Sequence, residues 1–230
     1  MAGVAEQRDS DRLALQPDSR GAAVWTALGG GIASIACGGA AIWLVRDQLH
    51  ISCGVGQPGS EGDGTWMCAD GISYLWVAVV LGAMLAFGVL AGALTAGLVR
   101  PARAACLILV LLAAAMAVWI LGWTWHASSE LVWAVPPDTL SVDYWYAAVL
   151  PAAIASAAAF LPALVGIFTR GAAARVLFAA AAAGLLVATA LQPGLSVNTL
   201  AAAGLLAAAA VRAQSDNRLA DDHGALGTER

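Results

Sequence analysis

The sequence predicts an all-α integral membrane protein, a bundle of about six transmembrane helices with N and C termini cytoplasmic. Three observations carry that expectation. Hydrophobic residues make up 60% of the 230 positions and charged residues only 11%, against about 25% charged in a typical water-soluble domain. The charges collect in short segments between long uncharged runs, each near the roughly 20 residues that cross hydrocarbon as a helix. The arginines fall almost wholly on alternate connections between those runs. Helices are the expected solution because every backbone N–H and C=O must be satisfied without water. A β-barrel would show alternating segments of about ten residues, and these runs do not alternate.

Residues 1–20 are polar and of mixed charge and read as a disordered cytoplasmic tail. The polytopic helical domain covers 21–211. Its first run, Gly21 to Val45, exceeds the apolar core of a secretory signal peptide, about 7–15 residues, and reads as one retained helix. Residues 46–71 form a Gly- and Pro-rich outer loop. The second run spans Ile72 to Val99, a basic turn follows at Arg100, Pro101 and Arg103, and the third run spans Ala104 to Trp125. A second outer loop covers 126–143, and a fourth run covers Tyr144 to Thr169. A turn with Arg170 leads to a fifth run, 172–191, which spans if Arg175 snorkels. After Gln192, Pro193 and Gly194, a short Ala-rich sixth run extends from Leu195 to Val211, and 212–230 reads as a second disordered cytoplasmic tail.

With the termini cytoplasmic, that side holds Arg8, Arg12, Arg20, Arg100, Arg103, Arg170, Arg175, Arg212, Arg218 and Arg230, while the outer side holds Arg46 alone. Such asymmetry sets orientation. The outer loops carry Asp47, Glu61, Asp63, Asp70, Glu130, Asp138 and Asp143, so the outer face is acidic. Trp43, Tyr74, Trp76, Trp123, Trp125, Trp133, Tyr144 and Trp145 fall near the proposed outer ends, where an apolar ring keeps its polar atom wet. Ordinary anchoring in the lipid bilayer explains such a belt. The chain has no lysine, and Ala, Gly and Leu dominate. That composition resembles proteins of GC-rich actinobacteria and points to no family. A net charge of -4 gives no reason to expect a nucleic-acid partner.

Cys53 and Cys68 share the first outer loop, in an oxidising compartment where disulfides persist. The flexible stretch between them allows their Cβ atoms to meet, and closing a loop of that size stabilises by about 3 kcal/mol in the chain-entropy model. The predicted bridge makes a defined outer lobe. It either only restrains the loop or presents Asp63, Trp66 and Asp70 to an extracytoplasmic or membrane-protein partner. Cys37 and Cys106 read as small apolar packing residues.

No catalytic, cofactor-binding or metal-ligating set emerges. His50 and His126 lack the ligand spacing of a zinc site, and HExxH, GxSxG and Walker-type motifs are missing. The span centres hold no ionisable residue, which argues against proton coupling through membrane carboxylates. Gly30, Ser34 and Gly38 recur every fourth residue, as do Gly88, Gly92 and Ala96. Small residues so spaced let helix backbones approach, and they suggest that the first two spans pack as a close hairpin. Pro151 and Pro162 fall in the fourth run as candidate kinks. Thr95, Ser156 and Thr189 can bond their own helix carbonyls.

Two functions fit this reading. One is a non-enzymatic structural, accessory or sensory membrane component with a disulfide-stapled outer loop. The alternative is a small permease or channel-like protein that uses no intramembrane carboxylate. A solid bundle favours the first, and a cavity beside Ser156 and Pro162 favours the second.

Overall fold

The computed structural model describes residues 19–227. The expected N-terminal tail lies outside these residues, apart from Ser19 and Arg20. The chain forms an all-α bundle with one small hairpin lobe. Five helical segments are long and apolar enough to cross a membrane: Gly71–Leu98, Ala102–Glu130, Leu150–Phe168, Gly171–Leu191 and Pro193–Gln214. A bent pair, Ser19–Ala36 and Gly39–Gln48, supplies a sixth if counted as one span. The protein is a multi-pass membrane protein, with exposed apolar side chains such as Phe87, Val118, Ile154 and Phe168 turned outward as lipid requires.

The elements in order are α1 (Ser19–Ala36), α2 (Gly39–Trp43), a π turn (Leu44–Gln48), strands β1 (Cys53–Val55) and β2 (Trp66–Cys68), a 3-10 turn (Gly71–Tyr74), α3 (Leu75–Leu98), α4 (Ala102–Glu130), α5 (Ser141–Ala148), α6 (Leu150–Phe168), α7 (Gly171–Leu191), a second 3-10 turn (Pro193–Leu195) and α8 (Ser196–Gly227). The last helix is the hub. It packs against α1, α3, α4 and α7, and 78% of its apolar window is buried, against 28% to 44% in the other four single-helix spans. Its alanines explain the position, because small side chains let several helices close on one axis.

The glycines show the closest approach. A Cβ on Gly30 would lie 2.8 Å from the Gly204 Cα, and one on Gly204 would lie 2.8 Å from the Gly30 Cα. The expected face of the first span therefore meets the last span. Gly31 receives Val89 of α3 instead. Gly88 faces Met116 and Gly92 faces Leu205, so the second span turns these two glycines to α4 and α8. Ser34 and Ala96 are buried. The first two spans do pack on each other, Gly31 against Val89 and Gly97 against Val24, but Gly30, Gly88 and Gly92 of the expected small-residue faces turn to α8 and α4.

The first run is not one helix. It bends by 48° at the break between Ala36 and Gly39, where Gly38 N–H donates to the Ile35 carbonyl and Ala41 N–H to the Gly38 carbonyl, both at 3.1 Å. The Gly38–Gly39 pair has low helix propensity and is a common site for such a break. Gly38 thus sits at the bend and not on a packing face, and Cys37 is exposed beside it. The third run continues to Glu130, because Thr124 and Ser128 bond carbonyls one turn back and no breaker intervenes. The fourth run divides at Val149. Pro151 falls in the first turn of α6, where its missing N–H costs nothing, so it marks a helix start. Pro162 does lie inside α6. The sixth run does not end at Val211; its helix continues through a buried Arg212 to Gly227.

The two ends of the bundle differ. Arg103, Arg170 and Ala213 line one shallow cleft, and Arg212 reaches the carbonyls of Val99 and Arg100, so the arginine-rich turns share one end. The hairpin lobe occupies the other.

Candidate functional site

The residues between α2 and α3 build the lobe. Alternation in Cys-Gly-Val and Trp-Met-Cys suits two short strands. They pair antiparallel, with Cys53 opposite Cys68, Gly54 opposite Met67 and Val55 opposite Trp66. The Cys53–Cys68 disulfide closes the hairpin at a Cα separation of 4.0 Å. Tight turns order the stretch between the strands: Ser60 N–H donates to Gln57, Asp63 N–H to Ser60 and Thr65 N–H to Gly62, at 3.0–3.1 Å. Gly56 is required there, since a Cβ would strike the Gly62 carbonyl.

The lobe is tied to the second loop as well as to itself. Ser52 N–H donates to Leu131 O and Val55 N–H to Ala134 O, each at 2.8 Å, and Trp133 N–H donates to Cys53 O at 3.0 Å. Residues 131–134 thus lie along the free side of β1 as a third extended segment. Beneath, the Tyr74 hydroxyl donates to the Ile51 carbonyl at 2.9 Å. His50 stacks on Trp66 with ring centroids 4.0 Å apart and meets the edge of Tyr144 at 4.9 Å. His50 and Ser52 hold φ angles of 51° and 62°, a left-handed conformation uncommon outside glycine. Two such residues around Ile51 turn the chain from the π turn into β1. Burial pushes the His50 imidazole below its ordinary pKa, and the Gln48 carbonyl and Asp47 carboxylate pull weakly the other way.

The three candidate contacts fare differently. Asp63 is exposed, and its Oδ2 accepts from Gly59 N–H at 3.1 Å. Asp70 is exposed at the start of the 3-10 turn. Trp66 is half-buried in the aromatic stack, so its ring organises the lobe more than it faces outward. The exposed apolar groups at the lobe are Met67, which sequence reasoning did not single out, and Trp133, which it read only as a membrane anchor. Met67 lies opposite Gly54, and residues 133–134 pass beside that glycine in ordinary contact, a placement with no local sequence signal.

Under the lobe, Gln192 was also missed as more than a turn residue. It is 3% exposed and stitches three elements. Its Nε2 donates to Gln48 Oε1 at 2.7 Å and to Ala148 O at 2.8 Å, while its Oε1 accepts from Gly194 N–H. Nearby, Ser196 donates to the Cys37 carbonyl at the break, 3.3 Å away. Thr95, Ser156 and Thr189 bond carbonyls of their own helices. His126 lies 3.8 Å from Glu130 on the surface of α4, away from the His50 stack. Among the described residues, no group of three or more His, Cys, Asp or Glu is placed to hold a metal ion. No protein-family model, curated protein or solved structure matches the chain.

Proposed function

We propose that this chain is a non-enzymatic accessory or sensory membrane component, with its termini in the cytoplasm and its disulfide-closed lobe outside, where the lobe contacts a second protein. One observation carries the reading. The lobe is a fixed platform, bonded by its disulfide, by three backbone hydrogen bonds to residues 131–134 and by the His50–Trp66–Tyr144 stack. It stands on a bundle whose axis is filled by α8. The arginine split supports the orientation.

Two measurements test it. In a variant lacking Cys37 and Cys106, a membrane-impermeant thiol reagent on intact cells is expected to label only after reduction. Labelling confined to permeabilised cells would invert the topology and end the proposal. A photo-crosslinker at Met67 is expected to yield one discrete adduct with another protein, and a lobe that yields none is not a docking platform.

A second reading, a small permease, draws on the broken first span. A carbonyl freed at a mid-membrane break can line a substrate path. Ser196 already bonds the Cys37 carbonyl there, and the Oδ1 of fully buried Asn198 has no partner among the described residues. Solute uptake by proteoliposomes that exceeds protein-free vesicles, and is lost in N198L, would move the choice to this reading.

A further inference from the structure

The hairpin has one edge that the fold leaves open, that of β2. Gly56 N–H donates to Thr65 O, and Ala69 N–H donates to Ser52 O. Between these bonds the ladder turns the backbone groups of Gly54 and Met67 toward each other. Antiparallel geometry alternates, so the groups of Cys53 and Val55 face the opposite side, and there they pair with Trp133 and Ala134. The same alternation turns the N–H and C=O of Trp66 and Cys68 away from β1. No hydrogen bond from the described residues reaches them. Such groups cannot lie in hydrocarbon, so the edge belongs in water above the bilayer, reachable by another chain.

Charge limits what can use it. Asp63 precedes β2 by three residues and Asp70 follows it by two, both exposed, with exposed Glu61 beside them. Across the loops at this end, Arg46 is the sole arginine against seven carboxylates. A second copy of this chain paired edge to edge would bring acidic residues against acidic residues, which is destabilising. An anionic lipid surface meets the same repulsion.

Resting on the docking reading above, we infer that the open edge of β2 (Trp66–Cys68) takes an extended, Arg- or Lys-bearing segment of an extracytoplasmic protein as an added strand. The backbone of Trp66 and Cys68 supplies the ladder bonds, and Asp63 and Asp70 hold basic side chains at its two ends. Strand addition draws affinity from main-chain bonds and specificity from side chains on alternate positions. Three residues make a short edge, so the ladder alone binds weakly and the carboxylates select the partner.

The test uses the full chain in nanodiscs of zwitterionic lipid and a phage-displayed library of random short peptides. Selected peptides are expected to be rich in Arg or Lys. A synthetic copy of one should bind about tenfold more weakly to a D63N/D70N variant and lose affinity as salt rises. N-methylation of one alternating set of its amides should weaken binding about tenfold, while methylation of the other set spares it, because only one set faces the ladder. No enrichment, neutral or acidic winners, or tolerance of both methylated sets would overturn the inference. Self-association of the chain through β2 would assign the edge to a second copy and overturn it too. If the inference fails while the Met67 crosslink persists, the lobe docks its partner through another surface. If the crosslink fails, the docking reading falls whatever the peptides do.

Discussion

Gln192 reaches across 144 residues of chain to donate from Nε2 to the Oε1 of Gln48, 2.7 Å away, where the far end of the bent first span meets the turn before the last helix. The same amide group caps α5 through Ala148 O and fixes the turn at Gly194. Removing it leaves one buried and two part-buried groups without this partner, and each lost partner in the buried limit costs about 1–3 kcal/mol. Q192A and Q192L are therefore expected to lower the unfolding temperature of the detergent-solubilised protein, followed by tryptophan fluorescence. Q192E sets a carboxylate against the Ala148 carbonyl, which can only accept, while Gln48 can turn its amide to donate, so it too should be damaging. A Q192L protein as stable as the parent would show that the stitch is incidental.

Gly30 and Gly204 bring two backbones together, and backbone cannot move aside as a flexible side chain can. G30A and G204A should each destabilise by about 1–3 kcal/mol through overpacking. Gly29 has open space where its Cβ would project, so G29A is expected to be neutral or slightly stabilising, since alanine favours helix. Thermal unfolding of the three variants checks the contrast, and equal behaviour of G29A and G30A would contradict the packing of α1 on α8.

This pair also shows what the sequence could and could not reveal. The bundle, its long spans and the Cys53–Cys68 bridge were legible, because hydrophobic length and a cysteine pair within one loop each have few physical solutions. The recurrence of Gly30 and Ser34 signalled close packing but not with whom: small residues occur on nearly every span, so spacing alone does not select a partner helix. The break at Gly38 was hidden by the same abundance of glycine. The lobe was legible as a loop and not as a platform, since its ties run from Cys53 and Val55 to Trp133 and Ala134, a pairing with no local pattern.

The lobe should be less stable in acid. Burial holds the His50 imidazole below the ordinary value of 6.5. Between its folded pKa and 6.5 the unfolded lobe binds more protons than the folded one. Stability is thus fully present above that range, falls as the pH drops through it, and levels off below the folded pKa. Asp47 is the charged group that opposes the shift. Cleavage within residues 56–65 by a protease active across the range should accelerate from about pH 8 to about pH 5. H50F keeps a ring on Trp66 and should remove that acceleration, apart from the protease's own pH response measured on an unfolded substrate. An H50F profile identical to the parent would mean that His50 does not control the lobe.

The disulfide should matter more to the lobe than to the bundle. Its loop closes over a sequence separation of 15, for which chain entropy gives about 3 kcal/mol. That gain accrues to the hairpin, whose two short strands keep only the tie to residues 131–134 and the aromatic stack once the bridge is gone. C53S/C68S is expected to expose residues 56–65 to protease while leaving the unfolding of the spans nearly unchanged. A matching collapse of the whole bundle would show that the lobe and the helices fold as one unit.

Arg212 reads as the charge that ends the sixth span, yet its side chain is 2% exposed and its Nη2 donates to Val99 O at 2.7 Å and Arg100 O at 3.2 Å. These are the carbonyls of the two residues that follow α3, beside its negative C-terminal end. A guanidinium placed there satisfies them and ties the second span to the central helix at the arginine-rich end. R212A should cost about 1.5–3 kcal/mol, since bonds to a charged donor are worth more than neutral ones. R212K keeps the charge but not the planar fork, so it should recover only part of the loss. Unfolding temperatures in one detergent give the order parent, R212K, R212A. If R212K matches the parent, charge alone suffices at this helix end. If R212A matches it as well, the buried bonds contribute nothing, and Arg212 marks the membrane boundary as its place in the sequence first suggested.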